Sequence, residues 1–129
     1  LHTDIFSQMV LHQYLTDNDY GGHIATICNA YGRQCGAMAD AITQFFPNDI
    51  EYVIPQGGMF FWVTLPNGQS SLKLFEKAVA QKVAFVPGVP FYTDGRTDAN
   101  TMRLNFTCAD EATIFEGMQR LGKLVKQAF

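Results

Sequence analysis

The sequence predicts an α/β fold: a small two-layer sandwich, with a mixed sheet of about four strands backed by helices. Three observations predict it. From about His23 to Phe46, apolar residues recur every three or four positions, the repeat of a helix with one buried side. Beyond Pro47 the repeat drops to two, in short apolar runs separated by breaks that contain Gly and Pro. Helical spacing then returns twice, after Ser70 and after Asp110, so helices and strands are interleaved along one short chain.

Taken in order, residues 4 to 16 read as a short helix with Ile5, Met9, Val10 and Leu15 near one stripe. TDNDYGG follows, a run of turn formers that breaks it. The long helix carries Ile24, Ile27, Tyr31, Cys35, Met38, Ile42 and Phe45, and Pro47 with Asn48 ends it. Ile50, Tyr52 and Ile54 alternate with polar neighbours, as in a strand with one wet face. After PQGG, the run MFFWVTL from Met59 to Leu65 is apolar on both faces and suits a central strand. PNGQ turns the chain, and Ser70 or Ser71 caps a helix with Leu72, Phe75 and Val79 on one side. Val83 to Val86 forms a short strand stopped by Pro87 and Gly88, and residues 89 to 100 form a polar loop. Thr101 to Cys108 alternates cleanly as the last strand. Asp110 caps the final helix, whose core stripe is Ile114, Met118, Leu121 and Val125; Glu111 in its first turn and Lys123 and Lys126 in its last suit the helix dipole.

A length of 129 residues suggests one domain. Aromatic residues at 13% supply ample core, which excludes long-range disorder. Charged residues reach only 16%, so much of the surface is neutral or apolar, as suits a chain that leans on something else. A net charge of -3 and a pI near 5.4 argue against a nucleic-acid-binding domain, which needs a basic face for phosphates. No apolar stretch approaches the roughly 18 residues of a membrane-spanning helix. The opening LHTDIFSQMV lacks the basic region and cleavage site of a signal peptide. Cys28, Cys35 and Cys108 are expected to be reduced, partly buried thiols of a cytoplasmic protein.

The last strand is the most informative chemically. Met102, Leu104, Phe106 and Cys108 alternate with Arg103, Asn105 and Thr107. An arginine in mid-strand needs an anionic partner or water, and its planar fork suits a carboxylate held by two parallel hydrogen bonds. A plain solvent-exposed strand face is the other reading. Ser70-Ser71-Leu72-Lys73 has the Ser-X-X-Lys spacing, but without companion motifs it reads as a capped helix start. Gly57-Gly58 and Pro87-Gly88 adjoin strands without forming a phosphate-cradling signature. His2, His12 and His23 are scattered, and no His or Cys spacing matches a metal site. No nucleophile and base can be paired, so any chemistry needs parts from elsewhere.

Four of these segments together resemble a known family. HIATICNAYGRQCGAMADAITQFFP is similar to the long helix that opens the small C-terminal domain of class I/II pyridoxal-phosphate aminotransferases. PQGGMFFWVTLPNG resembles that domain's paired strands, and VAFVPGVPFY its short strand and following loop. NTMRLNFTCADEATIFEGMQRLGKLV resembles its substrate-arginine strand and terminal helix. The likeness runs over about residues 20 to 126, and GGMFFW, VAFVPG and MRLNF bring it nearest to the 2-aminoadipate and kynurenine aminotransferase branch.

The resemblance implies a parent enzyme that passes an amino group between an amino acid and a 2-oxo acid, with pyridoxal 5'-phosphate as cofactor. By its place in MRLNF, Arg103 would grip the substrate α-carboxylate, and the polar strand face would look into the active-site cleft. The large domain is missing. With it go the lysine, aspartate and phosphate-binding residues that hold the cofactor, since none of Lys73, Lys77, Lys82, Lys123 or Lys126 stands in the family's lysine motif. The chain is therefore expected to carry no catalytic, cofactor-binding or metal-binding residue of its own and to be inactive alone. Residues 1–20 resemble the end of the large domain, and residues 21–129 make the small domain. A cytoplasmic homodimer is expected of the parent, with no nucleic-acid or membrane partner. Two rivals stand beside this reading. One is the effector-binding domain of an aminotransferase-like transcription regulator; the other is a free-standing binding or interaction domain.

Overall fold

The computed structural model describes residues 3–128. The elements follow as α1 (Ile5–Asp17), α2 (Tyr20–Phe45), β1 (Glu51–Val53), β2 (Phe60–Thr64), α3 (Ser71–Ala80), β3 (Val86–Pro87), a 3-10 turn (Val89–Phe91), β4 (Thr101–Asn105) and α4 (Glu111–Ala128). The order of helices and strands is the predicted one. The chain separates into two compact units, one ending at Ala30 and the other beginning at Tyr31.

In the first unit, the Asp4 carboxylate caps α1. It accepts from the Ser7 hydroxyl and from the Ser7 N–H at 2.9 Å, which holds it below its usual carboxyl range. The break expected over TDNDYGG is shorter than the sequence suggests. Only Asn18 and Asp19 separate the two helices, because the Asp19 carboxylate accepts the Gly22 N–H at 2.9 Å and starts α2 ahead of both glycines. The expected apolar stripe of α1 does not form one face. Phe6, Leu11 and Tyr14 are apolar too, so apolar side chains surround the helix, and every residue of it is exposed.

In the second unit, a four-stranded sheet runs in the order β1-β2-β4-β3. Alternation puts Phe61 and Val63 of β2 with Met102 and Leu104 of β4 on one face, and these four are at most 4% exposed. Onto that face pack Met38, Ala41 and Ile42 of α2, Leu74 and Ala78 of α3, and Ile114, Met118, Leu121 and Val125 of α4. The stripe foreseen for α4 is the one found, and Asp110 caps this helix through the Thr113 N–H at 2.8 Å. Glycine permits the tightest helix contact: a Cβ on Gly122 would lie 2.7 Å from both the Cβ and the carbonyl oxygen of Phe45.

Several details depart from expectation. All three strand pairings are antiparallel, so the sheet is not mixed. The β2-α3-β3 crossover does make two parallel strands, but β4 inserts between them and pairs antiparallel with each. The strand foreseen at Val83–Val86 shrinks to Val86–Pro87, because Lys82 turns in the left-handed region at φ 59° and Pro87 has no N–H for the ladder. In α3 the buried side is Ser71, Leu74 and Ala78, while Leu72 and Val79 are exposed. Ser71 is drawn inward because its N–H donates to Ala99 O at 2.9 Å. Finally, β4 stops at Asn105, whose side-chain oxygen accepts the Thr107 N–H at 2.7 Å and bends the chain. Cys108 thereby leaves the buried face and is exposed, as is Cys28. Only Cys35 is partly buried as foreseen, and burial raises its thiol pKa.

Candidate functional site

The face of the sheet turned away from α2, α3 and α4 carries the arginine singled out from the sequence. Alternation that buries Phe61, Val63, Met102 and Leu104 turns Phe60 and Trp62 of β2 and Arg103 of β4 the other way. Register sets their places: Arg103 lies across from Trp62 on one side and from Val86 on the other. The guanidinium carbon of Arg103 sits 4.0 Å from the centre of the Phe60 ring and 5.1 Å from that of Phe91. Phe91 in turn meets Trp62 edge-on, with ring centres 5.2 Å apart and planes at 90°. Arg103 therefore rests in a cradle of two rings, half-buried.

The four arginines divide by partner. Arg33 pairs with Glu111 at 3.1 Å, Arg96 with Asp94 at 2.5 Å and Arg120 with Glu116 at 2.5 Å. Arg103 has rings for neighbours and no carboxylate among the described residues. The distinction matters because an aromatic face attracts a cation without taking up its N–H donors. The donors of Arg103 remain available to an anion with two oxygens.

The Arg96 pair shows the contrasting arrangement in the loop that leads to β4. Arg96 donates to both Asp94 oxygens, with its guanidinium 3.7 Å above the Tyr92 ring, and holds the Asp94 carboxyl down at about 2. Nearby, Ser70 Oγ accepts the Lys73 N–H at 3.1 Å and donates to Asp98 at 2.8 Å, so the Ser-X-X-Lys spacing is a helix cap. His12 and His23 are both exposed, and His2 lies outside the described residues. No cluster of His, Cys, Asp or Glu that could hold a metal ion occurs among the described residues. No helix of the described residues is long and apolar enough to cross a membrane.

Sequence reasoning singled out Arg103 and missed its cradle. Phe60 and Trp62 were legible in principle, because the alternation of MFFW puts them on the face opposite Phe61. Phe91 left no such signal. It reaches Arg103 only through the path of the 3-10 turn.

No family model matches the chain. Aromatic-amino-acid aminotransferase 1 of Thermococcus litoralis is 41% identical over 127 residues, which are 98% of this chain and 30% of that protein. The 2-aminoadipate transaminase of Thermus thermophilus is 37% identical over 126 residues, 98% of this chain and 31% of that protein. The crystal structure of Pyrococcus horikoshii kynurenine aminotransferase in complex with PMP matches with a TM-score of 0.87 at 42% identity. That match covers 97% of this chain and 31% of the other. The chain thus spans about a third of the length of the relatives it matches.

All five lysines are exposed, on α3, on α4 and at the Lys82 turn. The chain corresponds to the C-terminal ~30% of pyridoxal-phosphate aminotransferases of the aromatic, 2-aminoadipate and kynurenine/aminoadipate kinds, and its fold is that of their small domain.

Proposed function

We propose that this chain is the substrate-gripping part of an aminotransferase that moves an amino group between an amino acid and a 2-oxo acid, and that Arg103 holds the substrate α-carboxylate. One observation carries the reading: among the described residues, Arg103 is the arginine that lies against aromatic rings without an acid partner, while the other three are each bonded to one. With no carboxylate partner among the described residues, its N–H donors can take two carboxylate oxygens. The substrate would lie with its carboxylate on Arg103 and its α-carbon directed away from the sheet.

Pyridoxal phosphate, when bound, supplies the electron sink for this chemistry. In this reading it is held by residues of a large domain outside residues 21–129, to which residues 1–20 belong as an end piece. The parent is a cytoplasmic homodimer, and the chain alone is inactive. The similarity to named aminotransferases at 37% and 41% identity favours this reading over the effector domain of a regulator.

The test is a titration of the 129-residue chain with 4-methyl-2-oxopentanoate, an apolar 2-oxo acid. Trp62 is the one tryptophan of the sequence and neighbours Arg103 across the strands, so its fluorescence reports the site directly. A saturable change that disappears in Arg103→Gln is expected. An unchanged titration in Arg103→Gln would remove the proposal.

A further inference from the structure

Arg103 is held by rings from two elements that are positioned in different ways. Phe60 is set by sheet register, on the strand next to β4. Phe91 belongs to the 3-10 turn Val89–Phe91, and that turn is pinned to β4 two residues before Arg103. The Gly88 N–H donates to Thr101 O at 2.7 Å, and the Tyr92 hydroxyl lies 3.1 Å from Thr101 Oγ1. The approach at Gly88 leaves no room for a side chain: a Cβ there would sit 2.0 Å from Thr101 Oγ1 and 2.7 Å from Thr101 O. Within the turn, the Phe91 N–H donates to Gly88 O at 3.0 Å. The turn therefore delivers the Phe91 ring to both the Arg103 guanidinium and the Trp62 indole.

Core packing does not account for this arrangement, since Phe91 is 44% exposed and lies on the sheet face away from the buried cluster. Its ring contacts are Arg103 and Trp62. We propose that Phe91 is a positioning residue that acts through Arg103. Together with Phe60 it restricts the guanidinium to one orientation, with the N–H donors facing the incoming carboxylate. The inference rests on the carboxylate reading of Arg103 and adds to it that the turn after β3, pinned by Gly88, sets the quality of that grip. An arginine side chain loses much rotamer freedom when it is fixed, and a ring that holds it before the ligand arrives removes that cost from binding.

The experiment uses the 129-residue chain and the same probe, 4-methyl-2-oxopentanoate, with binding followed by isothermal titration. In parallel, the Nε–H resonance of Arg103 is followed by NMR, because ring currents from Phe60 and Phe91 displace it. Phe91→Leu keeps an apolar side chain but removes the aromatic face. It is expected to weaken binding about five-fold, the scale of one cation–π contact, to shift the Arg103 Nε–H resonance, and to leave the thermal midpoint nearly unchanged. Phe91→Tyr restores the ring and is expected to restore both affinity and resonance. Wild-type affinity and an unmoved resonance in Phe91→Leu, with binding still lost in Arg103→Gln, would overturn the positioning role and leave the carboxylate reading intact. Wild-type binding in Arg103→Gln would overturn the carboxylate reading and this inference with it. Should Phe91→Leu unfold, its thermal midpoint shows a core role and the positioning role falls. A through-space contact between Arg103 Hε and the Phe91 ring protons in the wild-type chain is expected, and its absence also counts against the proposal.

Discussion

Replacing Arg103 by lysine in the full-length protein tests whether the fork, and not only the charge, is used. A guanidinium that meets a carboxylate with two N–H donors makes two charge-assisted hydrogen bonds, each worth about 1.5–3 kcal/mol. Lysine retains the charge and about one of the bonds. It also loses the flat surface that lies 4.0 Å from the Phe60 ring and 5.1 Å from the Phe91 ring. The net loss is about 2–3 kcal/mol, or roughly 30- to 150-fold in kcat/KM for amino-acid turnover. In the isolated chain the face is open to water, so the same substitution weakens carboxylate binding by about 1 kcal/mol. Stability should hold, because the core side of β4 is carried by Met102 and Leu104, at 0% and 4% exposure, and Arg103 is on the other side. The assay is steady-state transamination with a panel of amino acids, alongside thermal unfolding of each variant. Near-normal turnover in Arg103→Lys would refute the two-bond geometry. Near-normal turnover in Arg103→Ala would refute the assignment of the carboxylate to this residue.

Three further predictions follow from the same structure. Gly122→Ala drives a methyl group into the Phe45 backbone and should destabilise the chain by about 1–3 kcal/mol in urea unfolding, whereas Gly117→Ala, with open space around it on the same helix, should be neutral or stabilising. The Asp94 carboxyl is held at about 2 by Arg96, so its folded value lies below its unfolded one. The contribution of the Asp94–Arg96 contact is therefore complete above the usual carboxyl range and is lost as pH falls toward 2; carbon NMR of the Asp94 carboxyl should titrate at about 2 and return toward 3.8 in Arg96→Gln. Reduction with borohydride in the presence of pyridoxal phosphate should label the five exposed lysines sparsely and without preference; stoichiometric labelling of one of them would show a cofactor lysine in this chain.

Local chemistry explains why so much was readable from residues alone. Ser70 and Asp110 accept from N–H groups three residues ahead, and any chain with those residues before an apolar stripe tends to start a helix there. Ile114, Met118, Leu121 and Val125 lie at helical spacing, and the same four are buried in α4. Alternation around Phe61 and Arg103 placed core and site on opposite faces of the sheet before any strand was paired. Periodicity was less secure where apolar residues crowd. In α1 they occur at 5, 6, 9, 10, 11, 14 and 15, so a stripe chosen from four of them was arbitrary. In α3 the choice of Leu72 and Val79 lost to Ser71 and Ala78, because a hydrogen bond to Ala99 O outweighed side-chain hydrophobicity in setting which side turned inward.

By itself, then, the sequence determined the order of elements, the helix caps, the α4 core stripe and the strand face on which Arg103 sits, because each depends on residues within a turn or two of one another. Contacts between distant residues decided the rest. β4 entered between β2 and β3 and made the sheet antiparallel throughout, which no local repeat encodes. Asn105 bent the chain and exposed Cys108 by bonding the Thr107 N–H. The aromatic cradle needed three segments at once: Phe60 set by register, Arg103 set by register, and Phe91 brought in by a turn that Gly88 allows to lie against Thr101. The rings that flank the Arg103 guanidinium are 43 and 12 residues away along the chain, so only the folded structure could bring them to it.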